Sequence, residues 1–229
     1  MTLDFNPDRK LTLNRFSKLG AWYIFALSII ATVSIVGQIL IQNHLKDQLN
    51  DSRIVNLAGS QRYKSQWIVK TVLLLYADID HDNDREKVNV LVEQLDQWKA
   101  AHYGLQNGNI ALDLPGVNSE TVMKMFREME PYFLDLHNSA SHIIEYKKGN
   151  VTDTTDVKQA IRKLLANETI FLQKMDDIVF QYDKEARQKV ATLSRLEYIL
   201  LFISILVIVL EIIFIFRPTA VRVNKTVNQ

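Results

Sequence analysis

The chain has 229 residues, a formal net charge of +1, 48% apolar and 23% charged residues, and no cysteine. Its length permits either one large fold or a smaller domain with appendages. The near-neutral balance gives no reason to expect a nucleic-acid partner, and the lack of cysteine excludes structural disulfides, thiolate catalysis and cysteine-ligated metals together.

In chain order, the first feature is a basic approach, Arg9, Lys10, Arg15 and Lys18, followed by residues 19–41 without a formal charge. As a helix this run covers roughly 34 Å, enough to cross the hydrocarbon core of a bilayer. It is too long for a signal-peptide core and has no small-residue cleavage site before Gln42, so a retained anchor is expected. Near the other end, residues 198–216 (YILLFISILVIVLEIIFIF) carry one charge, Glu211, and span roughly 28 Å as a second transmembrane helix. Glu211 lies close to Arg217 and can snorkel or pair there. The basic side chains of residues 1–18, and Arg217, Arg222 and Lys225 in 217–229, place both ends in the cytoplasm. Residues 42–197 then lie outside the cytoplasmic membrane, in a periplasm if the cell has two membranes.

Chain breakers in this outer segment fall at three joints: 78–84 (DIDHDND), 104–118 (containing GLQNGN and LPGVN) and 147–154 (KKGNVTDT). Between them the pattern predicts helices near 42–77, 84–104, 118–147 and 154–197, with Asn118 as candidate N-cap of the third and Asp153 or Thr154 of the fourth. Leu164, Leu165, Leu172, Met175, Ile178 and Val179 read as the fourth helix's inward stripe. Four such helices, the first and last continuous with the membrane spans, predict an all-α fold: an antiparallel up-down-up-down four-helix bundle ectodomain flanked by two transmembrane helices. The second joint is long for a bundle loop and invites a feature of its own.

The first helix contains an unusual stretch, residues 59–66 (GSQRYKSQ), between apolar segments. A helical face through Val55, Ala58, Arg62, Ser65/Gln66, Val69 and Val72 places a guanidinium on the side of the apolar contacts. Gly59 costs a helix about 1 kcal/mol relative to Ala and so asks for a reason, such as close approach of a ligand or partner helix. An arginine fork suits flat anions, and two copies of Arg62 across a twofold axis would clamp one ligand. The alternative is that Arg62 and Lys64 sit on a solvated face and Gly59 merely eases packing; spacing leaves both open.

Residues 51–75 (DSRIVNLAGSQRYKSQWIVKTVLLL), above all the Asn-Leu-Ala-Gly-Ser-x-Arg core, resemble the signature of the PilJ-type sensory domain at the N-terminus of type IV pili chemotaxis transducers, and the P-box of NarX-type nitrate/nitrite sensor kinases. Residues 171–197 (FLQKMDDIVFQYDKEARQKVATLSRLE) are similar to that family's last helix. The resemblance implies a homodimeric four-helix sensor joined through the membrane to a cytoplasmic output module. In its nitrate-binding branch, the arginine at the position of Arg62 holds the anion between the two first helices. By position Gly59 and Arg62 carry over as ligand-binding residues, with Asn56 and Ser60 beside them. Tyr63, Lys64, Gln66 and Trp67 depart from that branch's usual surroundings.

The alternating aspartates 78, 80, 82 and 84 fail the EF-hand pattern, with Asn83 in place of its glycine and Asn89 in place of its glutamate, and are expected to form a solvated turn. His137 and His142 miss the helical metal-pair spacing. No metal, cofactor or catalytic residue is therefore expected, and no enzyme in this chain. Residues 217–229 read as a linker toward an output domain: a histidine kinase by the nitrate-sensor resemblance, with a diguanylate cyclase or chemotaxis signalling domain as alternatives. A ligandless dimeric module that senses a protein partner or the lipid bilayer is the rival reading.

Overall fold

The computed structural model describes residues 7–77 and 84–216, and these form four helices: α1 (Pro7–Tyr76), α2 (Asp84–Asn107), α3 (Glu120–Lys147) and α4 (Thr154–Glu211). A 3-10 turn, Ile110–Leu112, lies between α2 and α3, and a π-helical turn, Ile212–Phe216, follows α4. Among the described residues the only extended pairing is one bridge, Asn109 to Leu114. The aspartate run before α2, the first six residues and the segment after Phe216 lie outside the described residues.

α1 and α4 each contain an apolar window long enough to cross a membrane. Both continue without a break through the positions near 42 and 197 where the outer segment was expected to begin and end. The chain divides into two compact units, Asp47–Gln188 and a second formed by Met1–Lys46 with Lys189–Gln229. In the second unit Leu200 comes within 3.9 Å of the space a side chain on Gly37 would fill, so the two apolar helices meet there. Glu211, 9% exposed, is nearly enclosed in the same unit.

In the unit Asp47–Gln188 all four helices contribute to one core. Trp98 of α2 is its centre: its ring lies 4.5 Å from Phe133 of α3 and 5.2 Å from Phe171 of α4. Its Nε1–H donates to the Gln61 carbonyl of α1 at 3.3 Å, so one residue touches the other three helices. The buried stripe of α4 runs Val157, Ile161, Leu164, Phe171, Met175, Ile178 and Tyr182. Leu165, expected in that stripe, is 45% exposed, because the helical period admits only one of two adjacent leucines and Leu164 takes the inward place.

The second joint is an ordered structure. Asn109 and Leu114 exchange backbone hydrogen bonds of 3.0 and 2.9 Å, and Asn109 Oδ1 accepts from the Leu112 N–H at 3.2 Å. Gly116 adopts φ +67°, and a Cβ there would lie 2.3 Å from backbone atoms of Asn107 and Gly108, so only glycine fits. Asn118 does not cap α3. Ser119 does, its Oγ accepting from the Val122 N–H at 3.1 Å. Asn118 instead donates its amide to the Leu105 and Gln106 carbonyls at 2.8 and 3.2 Å, closing the end of α2. Its Oδ1 accepts from the Tyr182 hydroxyl at 2.7 Å, which ties the joint to α4. Arg53 of α1 pairs with Asp113 on the joint's other side. At the start of α4, Asp153 is the cap, its carboxylate accepting from the Thr155 N–H at 2.7 Å.

Candidate functional site

The segment Asn56–Gln66 lies wholly within α1, and of the inward face drawn from the sequence Ala58, Ser65, Val69 and Val72 are buried, Val55 and Arg62 are half-buried, and Gln66 is exposed. Ser65 satisfies its hydroxyl on the Arg62 carbonyl at 2.7 Å and Ser60 on the Leu57 carbonyl at 2.7 Å. The candidate Ser60 and its neighbour Ser65 thus both turn back on their own helix, as hydroxyls do when no outside partner is in reach. Asn56 is exposed, one turn before Gly59.

Arg62 is partly buried and folded over its own turn. Its Nε–H points at the Gly59 carbonyl at 3.5 Å, and its Nη1 pairs with Asp176 of α4. A Cβ on Gly59 would meet nothing closer than Arg62 Nη2, at 3.6 Å. The structure therefore brings Gly59 and Arg62 together, leaves Ser60 beside them and keeps Asn56 apart on the open side. Asp176, the countercharge of Arg62, belongs to the segment 171–197 that resembles the family's last helix, but nothing in its local sequence marks that carboxylate. Sequence spacing carries no information on a pairing between two distant helices.

The neighbouring Gln61 was also missed. It is fully buried and neither of its amide atoms has a hydrogen-bond partner among the described residues, an uncommon arrangement in a helical core. The outward side of α1 shows a seven-residue rhythm over Leu49, Ser52, Asn56, Gly59 and Tyr63, with Leu49 73% and Tyr63 65% exposed.

A second polar cluster sits between α2 and α3. His102 is fully buried, stacked on Phe133 at 3.6 Å, with Nε2 2.8 Å from Glu130 Oε2. Tyr103 donates to Glu130 Oε1 at 2.9 Å. Burial holds the imidazole below its ordinary pKa, although the bond to Glu130 works against that. The same bond from His102 is the main cause that keeps Glu130 below its usual range, and burial with the Glu130 contact pushes Tyr103 up to about 12. The cluster pins two helices together. Among the described residues no group of three or more histidine, aspartate or glutamate side chains is placed to hold a metal.

Among the described residues the chain is helical apart from its joints, and two of its helices are long and apolar enough to cross a membrane. Comparison with protein families matches residues 44–165 to PilJ, described as the type IV pili methyl-accepting chemotaxis transducer N-terminal domain. The chain belongs to this family. No curated protein matches it.

Proposed function

We propose that the chain is the input region of a bacterial transmembrane receptor that binds a small anion, nitrate-like in shape, at Arg62, and that signals by changing how α1 and α4 are held together. The observation that carries this reading is the Arg62–Asp176 pair, which joins the helices that contain the two apolar windows. An anion that takes the Nη1 edge of the guanidinium competes with Asp176 for it, so binding and release of α4 become coupled. A packed bundle has few discrete arrangements and relays such a change as a helix displacement. Arg62, Gly59 and Ser60 would line the site, and Asn56, on the outward rhythm of α1, would approach it from a second copy.

The helices are read as an up-down-up-down bundle in residues 42–197. Its support lies in the pairings: Gln61 with Trp98, His102 with Glu130, Lys163 with Asp135, and Arg62 with Asp176. Between α2 and α3, His102 meets Glu130 while Asp84 meets Lys147, and between α3 and α4, Asp135 meets Lys163 while Glu128 meets Lys174, so in both pairs positions advance along one helix as they recede along the other. The outward rhythm of α1 supports homodimerisation along that face. Residues 19–41 and 198–216 are read as transmembrane spans, with both termini cytoplasmic and residues 43–197 periplasmic. The family description directs the output toward chemotaxis-type signalling, with a histidine kinase as the second reading.

The test is a thermal-shift titration of the whole chain in nanodiscs against nitrate and nitrite at constant ionic strength. Saturation at a hundred times the dissociation constant adds about 2.7 kcal/mol to stability. Arg62→Ala removes the shift. Asp176→Asn, which deletes the competing carboxylate, tightens binding several-fold. A nitrate shift unchanged in Arg62→Ala would overturn the anion site, and loss of binding in Asp176→Asn would overturn the competition.

A further inference from the structure

Further along the same two helices is a groove of about 360 Å³, lined by Gln66, Val69, Lys70, Leu73, Leu74 and Ala77 of α1 and by Glu168 of α4. Its floor is apolar, with Val69 only 3% exposed, and its polar groups are one ammonium, one carboxylate and one amide. Glu168 stands in the buried stripe of α4 where Leu164 precedes it and Phe171 follows it, a register that is otherwise apolar from Val157 to Tyr182. Glu168 is half-buried at that position, so its carboxylate interrupts the apolar run where the groove opens.

Lys70 lies eight residues beyond Arg62 on α1 and Glu168 eight residues before Asp176 on α4, so each is roughly 12 Å along its helix from that ion pair. Yet no ion pair joins Lys70 to Glu168, and neither has another charged partner among the described residues. The groove is thus lined by two opposite charges that are not paired with each other, beside an apolar floor. Its volume is within the range of small-molecule sites.

We propose that this groove binds a small zwitterion with an apolar body, the chemistry of a free aliphatic or aromatic amino acid. The ligand carboxylate meets Lys70, its ammonium meets Glu168, and its side chain lies on Val69, Leu73, Leu74 and Ala77. Such a ligand bridges α1 and α4 at a level separate from Arg62, so the site is a second input on the same pair of helices and does not depend on the anion reading.

The experiment is calorimetric titration of the whole chain in nanodiscs with L-leucine and L-phenylalanine, then with isocaproate, which lacks the ammonium, and isoamylamine, which lacks the carboxylate. Saturable binding of at least one amino acid is expected, with each half-molecule at least about tenfold weaker, the scale of one lost charge-assisted contact. Lys70→Met brings the amino acid down to the affinity of isoamylamine, and Glu168→Gln to that of isocaproate. Helicity of both variants is checked by circular dichroism, and Arg62→Ala keeps amino-acid binding while it loses the nitrate response. No saturable binding, binding indifferent to both substitutions, or a zero-length carbodiimide cross-link between Lys70 of one copy and Glu168 of another, which shows the groove filled by a second chain, overturns the proposal.

Discussion

Gly59→Ala separates what one chain needs from what two chains need. Inside a single chain the added methyl has room, since its nearest neighbour is Arg62 Nη2 at 3.6 Å, an ordinary contact with the end of a flexible side chain. Replacing glycine by alanine within a helix also removes a backbone-entropy penalty of about 0.5–1 kcal/mol. For a unit the size of Asp47–Gln188 this corresponds to a rise in melting temperature of about 3 °C. If a second α1 lies against Gly59, the same methyl pushes the two helices apart and weakens association. The assay is a melt of the dilute, monomeric chain in detergent beside sedimentation across a concentration series. A more stable monomer with weaker self-association is expected. A destabilised monomer would refute the local geometry, and unchanged association would refute helix apposition at Gly59.

Tyr182→Phe removes the 2.7 Å bond to Asn118 from a buried site, and a loss of about 1–2 kcal/mol is expected, with faster amide exchange in the α2–α3 joint. Gly116→Ala, with backbone atoms 2.3 Å from the new Cβ, should prevent the joint from closing, whereas Gly149→Ala, with nothing within 4 Å, should cost only its left-handed backbone, about 1 kcal/mol; urea midpoints distinguish them. Because His102 has a lower pKa folded than unfolded, the unfolded chain binds more protons below about pH 6.5. Its contribution is fully present above that pH and lost on acidification through the window beneath it. Glu130 adds a loss in the same direction at lower pH, and half-buried His137, also lowered by burial, acts with His102. The denaturation midpoint should therefore fall from pH 7.5 to 5.5, and His102→Leu should flatten that slope; an equal slope in the variant would assign it elsewhere.

The helices were legible because period and breakers are local. α2, α3 and α4 begin within two residues of their expected starts, and the inward face of α1 at Ala58, Ser65, Val69 and Val72 follows from a single periodicity. What escaped was set by partners far along the chain. Asn118 and Ser119 are both competent caps, and the choice is made by the carbonyls at the end of α2 and by Tyr182. Arg62 and Gly59 could be singled out from composition, but the countercharge at Asp176 depends on which face of α4 meets α1. The His102–Glu130 cluster had no local signal, since a histidine 28 positions from a glutamate is unremarkable until two helices align them.

The joints between helices are unequal places to alter the chain. The α2–α3 connection is bonded to α1 through Arg53 and to α4 through Asn118, and Gly116 leaves no space within it, so an inserted residue must break a contact with one of those helices. The turn at Gly149 opens onto empty space and its neighbour Asn150 is exposed. A fluorophore, an affinity tag or a genetically inserted reporter belongs at that second turn, where it would follow the protein without disturbing it.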